Sequence, residues 1–169
     1  MTDFVAIDFE TADHGADSAC AVALVRVRAG KVAERATRLL RPPRPHIHFS
    51  YIHGITWDMV AGEPSFAQVW PELEPLLEGA SYLVAHNAGF DRKVLKTCCA
   101  EAGLRSPALP FACTVRLARR AWDLRPTKLP DVCRFLGLRL RHHDPASDAL
   151  ACAKIALAAM ADGFGLEPA

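Results

Sequence analysis

Apolar positions fall first into short alternating runs and later into runs with helical spacing. Residues 4–10 read FVAIDFE, and Phe4, Val5, Ile7 and Phe9 favour a strand. Residues 19–28, ACAVALVRVR, form a second strand that carries Arg26 and Arg28 on one alternating face. Gly30-Lys31 predicts a turn into a third strand near 32–40, so the chain opens as an antiparallel meander. Residues 42–62 hold three prolines, three histidines and two glycines, which predicts a loop with one short turn of helix. A helix over 65–78 follows from Phe66, Val69, Trp70, Leu73, Leu76 and Leu77, with Pro71 and Pro75 against its regularity.

The second half alternates. A strand is expected at 81–86 and a helix over 88–102, with Asn87 as its N-cap. A short strand near 109–113 and a helix near 114–121 come next. Pro126 and Gly137 bracket another helical segment, with Pro130 in its first turn. An Ala-rich helix over 146–161 stops at Gly163 and Gly165. A meander followed by alternating helix and strand is a mixed α/β pattern, and no internal repeat or linker divides it. One domain over residues 1–169 is expected.

Composition narrows the setting. The sequence is 51% hydrophobic and 23% charged, a globular profile. A net charge of +1 excludes a large, generally basic nucleic-acid footprint, so any such contact must be local, as for a strand end in a cleft. The six cysteines show no zinc-knuckle or redox spacing and read as small buried hydrophobes in a reducing compartment. No apolar run reaches the roughly 18 residues of a membrane span, and the N-terminus lacks a signal-peptide pattern. A cytoplasmic protein with no membrane partner is expected.

Four carboxylates stand in apolar surroundings. Asp8 and Glu10 share one face of the first strand. An edge strand with a solvated acidic face would explain them; so would a shared divalent cation. Asp91 falls in the first turn of the 88–102 helix, at the head of a stripe formed by Val94, Leu95 and Cys98. The helix dipole alone would favour an acid there. Asp148 has Ala151, Cys152, Ile155 and Ala159 on its own face of the last helix, so it needs an Arg partner or a metal. His143 precedes it by five residues, on the loop before the helix. Four carboxylates and a loop histidine are what two-metal phosphodiester hydrolysis requires: hard oxygen ligands for Mg²⁺ or Mn²⁺, and a group of near-neutral pKa to take a proton.

The segments AIDFET (6–11), LVAHNAGFD (83–91) and HHDPASDA (142–149), in this order and spacing, resemble the three motifs of the DEDDh 3′→5′ exonucleases. That group includes the proofreading subunit of bacterial DNA polymerase III and ribonuclease T. HGIT (53–56) is similar to the segment between its first two motifs. The resemblance covers about residues 3–161 and implies a ribonuclease H-like mixed five-stranded sheet, antiparallel in its first three strands and flanked by helices. It implies Asp8, Glu10, Asp91 and Asp148 as ligands of two Mg²⁺ or Mn²⁺ ions, and His143, rather than the adjacent His142, as general base. Phe9, Thr11, Asn87 and Phe90 become candidate substrate contacts, His86 a structural residue, and Asp144 a solvated or capping one. The implied reaction releases nucleoside 5′-monophosphates from the 3′ end of a single strand. DNA is favoured, with RNA trimming or an inert binding module as alternatives, and a homodimer or a polymerase or repair partner is expected. The stretch RPPRPHIHF (41–49) either shapes the cleft entrance or is ordinary loop.

Overall fold

The computed structural model describes residues 2–169. Five strands form one sheet: β1 (Phe4–Thr11), β2 (Ala19–Arg28), β3 (Lys31–Leu39), β4 (Tyr82–Ala85) and β5 (Phe111–Cys113), in the order β3-β2-β1-β4-β5. β1, β2 and β3 pair antiparallel, whereas β4 joins β1, and β5 joins β4, in parallel. This is the expected mixed sheet. β1 lies at its centre, which rules out the edge-strand account of Asp8 and Glu10.

The helices are α1 (Ser50–His53), α2 (Trp57–Val60), α3 (Phe66–Leu73), α4 (Ala88–Glu101), α5 (Thr114–Trp122), α6 (Leu129–Phe135) and α7 (Pro145–Ala161). None among the described residues is long and apolar enough to cross a membrane. Three details depart from expectation. The 42–62 segment holds two short helices, α1 and α2, rather than one turn. The 65–78 helix breaks into α3 and a 3₁₀ turn, Glu74–Leu77, because Pro75 has no N–H for the carbonyl of Pro71 and its ring crowds that position. Asn87 does not cap α4 through its side chain. Its backbone is left-handed, at φ 64°, a conformation Asn tolerates better than most residues.

The period of two along β1 divides the core. Val5, Ile7 and Phe9 pack on one face with Phe66, Trp70, Val94 and Leu95 of α3 and α4. Phe4 and Ala6 pack on the other with Leu117 of α5, Val132 of α6 and Cys152, Ile155 and Ala159 of α7. Asp8 and Glu10 continue the α7-facing row, so one apolar stripe turns acidic at the C-terminal end of the central strand. Arg26, which shares one alternating face of β2 with Arg28, is buried, and its guanidinium donates to the carbonyls of Leu76 and Glu78.

Candidate active site

The C-terminal end of β1, the head of α4 and the first turn of α7 meet at one cleft of about 860 Å³. Asp8, Glu10, Asp91, His143 and Asp148 all line it, as do Phe9, Thr11, Asn87 and Phe90. Carboxylate oxygens of Asp8, Glu10 and Asp148 lie within 4.8 Å of one another. A second group, His142, His143 and Asp148, meets the same limit and shares Asp148 with the first. Asp91 is buried beside them, and its Oδ1 accepts a 3.0 Å hydrogen bond from the Phe9 N–H.

Among the described residues no arginine partners Asp148. Its Oδ2 contacts His142 Nδ1 at 3.0 Å and accepts from the His143 main-chain N–H, also at 3.0 Å. His143 is held at φ 66°, and the two imidazoles stack with centroids 3.8 Å apart. Asp144 does cap α7, accepting from the N–H groups of Ala146 and Ser147.

Every carboxyl of the floor is held above its ordinary range. Burial is the largest cause for Asp8, followed by the charges of Asp91, Asp148 and Glu10. Burial and then Asp148 and Asp91 push Glu10 up to about 8. Burial pushes Asp91 to about 8 against the Phe9 hydrogen bond, and raises Asp148 against its contacts with His143 and His142. Among the described residues, two of the three buried side-chain polar atoms without a hydrogen-bond partner are Asp8 Oδ2 and Asp148 Oδ1. Buried oxygens without donors, in a set of mutually repelling carboxylates, fit divalent cations: the ions would supply the missing partners and cancel the repulsion.

Placement of the remaining residues is mixed. Thr11 is buried at the rim, and Phe90 is 44% exposed. The Phe9 ring belongs to the other face of the sheet, packed against Phe66, so its visible role is to hold Asp91 through its N–H. Sequence reasoning singled out none of several lining residues individually: Phe49, Ile52, His53, Arg119, Arg125 and Lys128. Of these Phe49 carried a signal through the 41–49 stretch and His53 through the HGIT segment; the His53 Nε2–H donates to the Thr11 carbonyl at 3.1 Å. Phe49 ends the 41–49 stretch at the cleft, while Arg44 is tied to Asp13 and Asp17.

The sequence model described as Exonuclease (RNase_T) matches residues 5–156. The DNA polymerase III PolC-type protein of Thermotoga maritima is 33% identical over 158 residues, which cover 91% of this chain. They cover only 12% of that relative's length. A structure of exonuclease X in complex with 5′ overhanging duplex DNA superposes with a TM-score of 0.75 at 30% identity, covering 94% of this chain and 91% of that one. The fold is also that of the nuclease domain of 3′hExo, a DEDDh family member bound to rAMP, with a TM-score of 0.85 at 20% identity over 99% and 96% of the two chains. With the family match running over nearly all of the sheet and helices, the acidic floor included, the chain belongs to the exonuclease family.

Proposed function

We propose that this chain is a metal-dependent 3′→5′ exonuclease that hydrolyses the terminal phosphodiester of a single nucleic-acid strand and releases nucleoside 5′-monophosphates. The observation that carries it is the convergence of Asp8, Glu10 and Asp148, with two buried oxygens lacking donors, at the floor of an open cleft. Asp8, Glu10, Asp91 and Asp148 are the proposed ligands of two Mg²⁺ or Mn²⁺ ions. Those ions would lower the pKa of water and offset charge on the reacting phosphate. His143 accepts the proton of the attacking water as its oxygen bonds to phosphorus and the bond from phosphorus to the 3′-oxygen breaks; that oxygen takes a proton from solvent and becomes the new 3′-hydroxyl. Burial and the neighbouring His142 lower its pKa, so it stands neutral and ready to accept at neutral pH. The Phe9 N–H fixes the Asp91 carboxylate, and Phe90, Thr11 and Asn87 hold the terminal nucleotide.

DNA is the favoured substrate, a reading supported by relatives that are a DNA polymerase and a nuclease seen with duplex DNA. The polymerase relatives also support a polymerase or repair assembly as the setting, with a homodimer as the alternative. Six free cysteines support a reducing, cytoplasmic environment. The test is incubation of the purified chain with 5′-labelled single-stranded DNA, single-stranded RNA and a circular single strand. Stepwise shortening from the 3′ end, abolished by EDTA and restored by Mg²⁺ or Mn²⁺, is the expected result. Cleavage of the circle, or activity indifferent to chelation, would overturn the reading.

A further inference from the structure

The cleft has two chemically different sides. Phe90 comes from α4, on the α3 side of the sheet, with Phe49 and Ile52 from the α1 region. Arg119, Arg125 and Lys128 come from α5 and the loop that follows it, on the α7 side. All three cations are exposed. None takes part in an ion pair among the described residues, whereas Arg44, Arg120, Arg134 and Arg141 all do. Nor do they pair with the acidic floor: among the described residues the one ion-pair contact of its carboxylates is His142 with Asp148.

The loop that carries two of them is fastened from inside. His86, at the end of β4, contacts the Thr127 carbonyl through Nε2 at 3.0 Å and Thr114 Oγ1 through Nδ1 at 2.8 Å. A carbonyl only accepts, so Nε2 carries the proton; in the neutral ring Nδ1 then accepts from the Thr114 hydroxyl. Arg119 Nε donates to Thr127 Oγ1 at 3.0 Å. Thr114 and Thr127 are both buried. Arg125 and Lys128 therefore flank a segment bonded to both β4 and α5.

We propose that Arg119, Arg125 and Lys128 form a track for the internucleotide phosphates lying 5′ of the scissile one, and that His86 is the positioning residue of the loop that presents it. The proposal rests on the nuclease reading above and adds the orientation of the strand: backbone along the α5–α6 side, bases toward Phe49, Ile52 and Phe90. Unpaired cations on a tethered support match the spaced negative charges of a strand backbone, and a chain with net charge +1 needs such a local device.

The test is binding of a 5′-fluorescein thymidine decamer in EDTA, followed by anisotropy as a function of NaCl. For a single strand, each phosphate contact contributes roughly 0.7 to the slope of log affinity against log salt. Arg125→Ala and Lys128→Ala should each flatten the slope by about 0.7, and the double variant by about 1.4. Lys31→Ala, on the far edge strand, should leave it unchanged. His86→Ala should flatten the slope with them and, in Mn²⁺, raise KM for the decamer more than it lowers kcat, while a dinucleotide is cleaved nearly as by the wild type. Wild-type slopes in both track variants, or no binding by the wild type, would overturn the track. Equal losses on dinucleotide and decamer would overturn the positioning role of His86. A wild type that binds with the predicted slopes yet hydrolyses nothing would support the track and overturn the nuclease reading instead.

Discussion

His142 engages Asp148 Oδ2 through its ring, while His143 engages the same oxygen only through its main-chain N–H, which leaves the His143 imidazole uncommitted. Holding His143 at φ 66° costs free energy for a non-glycine residue, and such costs persist where the surroundings impose them. The geometry turns one ring toward the carboxylate and leaves the next as the proposed proton acceptor. His143→Ala should therefore lower kcat by roughly 10²–10⁴-fold, the range for a positioned acid–base group, and leave Mn²⁺ affinity nearly unchanged. His142→Ala removes one hydrogen bond from a carboxylate that keeps its other donor, and should be milder. Asp148→Ala should lose Mn²⁺ affinity and turnover together. Single-turnover cleavage and Mn²⁺ titration on the same preparations decide the matter. A dead His142→Ala beside an active His143→Ala would move the base one residue upstream.

At the scale of elements, α7 matters most because its first turn carries Asp148. Asp144 accepts from Ala146 and Ser147, and Pro145 occupies the position where a missing N–H is harmless. Asp144→Ala should cost about 1 kcal/mol, which for a chain of this size lowers Tm by roughly 2–4 °C. Asp144→Ser should recover most of it. Thermal unfolding by circular dichroism reads the difference, and an unchanged Tm in Asp144→Ala would show that these cap bonds contribute nothing. Both this helix and β1 were legible in the sequence because misplaced acids have to be explained. Asp148 and Asp91 stood out at the head of apolar stripes, Asp8 and Glu10 as like charges on one face of an apolar strand, and their order with His143 completed the motif set. Arg119, Arg125 and Lys128 did not, since loop and surface cations break no period. The burial of Arg26 was not legible, because alternation gives the face of a strand but not what covers it; here the carbonyls of Leu76 and Glu78 do. The left-handed Asn87 was hidden because Asn suits both an N-cap and a left-handed turn.

Across the whole molecule, near-neutral net charge conceals a concentrated acidic floor, and this sets how stability responds to pH and metal. Glu10 and Asp91 are raised from ordinary values of 4.5 and 3.8 to about 8, and Asp8 and Asp148 are raised as well. Without metal, the folded site keeps protons that the unfolded chain has already released. Stability from a raised carboxyl is fully present below its unfolded pKa and is lost as pH rises through the folded one. His86, lowered by burial from 6.5 to about 4, works in the opposite sense, but only between those two values; His53 and His143 are lowered too. The buried thiols, pushed up from 9.0, act in the same sense as the carboxyls, but only from the pH at which unfolded thiols begin to ionise. Between about pH 6.5 and 8.5 the carboxylates therefore dominate. Each retained proton changes stability by about 1.4 kcal/mol per pH unit, or roughly 3 °C in Tm for a chain of this size. The protein in EDTA should lose at least about 3 °C per pH unit across this window. Mg²⁺ or Mn²⁺, by binding the ionised site of the folded state, should raise Tm and flatten or reverse the slope. Asp8→Asn should weaken both the slope and the metal response, because it removes the carboxyl on which the charges of the other three converge. A flat Tm profile in EDTA, or one that divalent metal leaves untouched, would mean that these acids are not held together as a cation site.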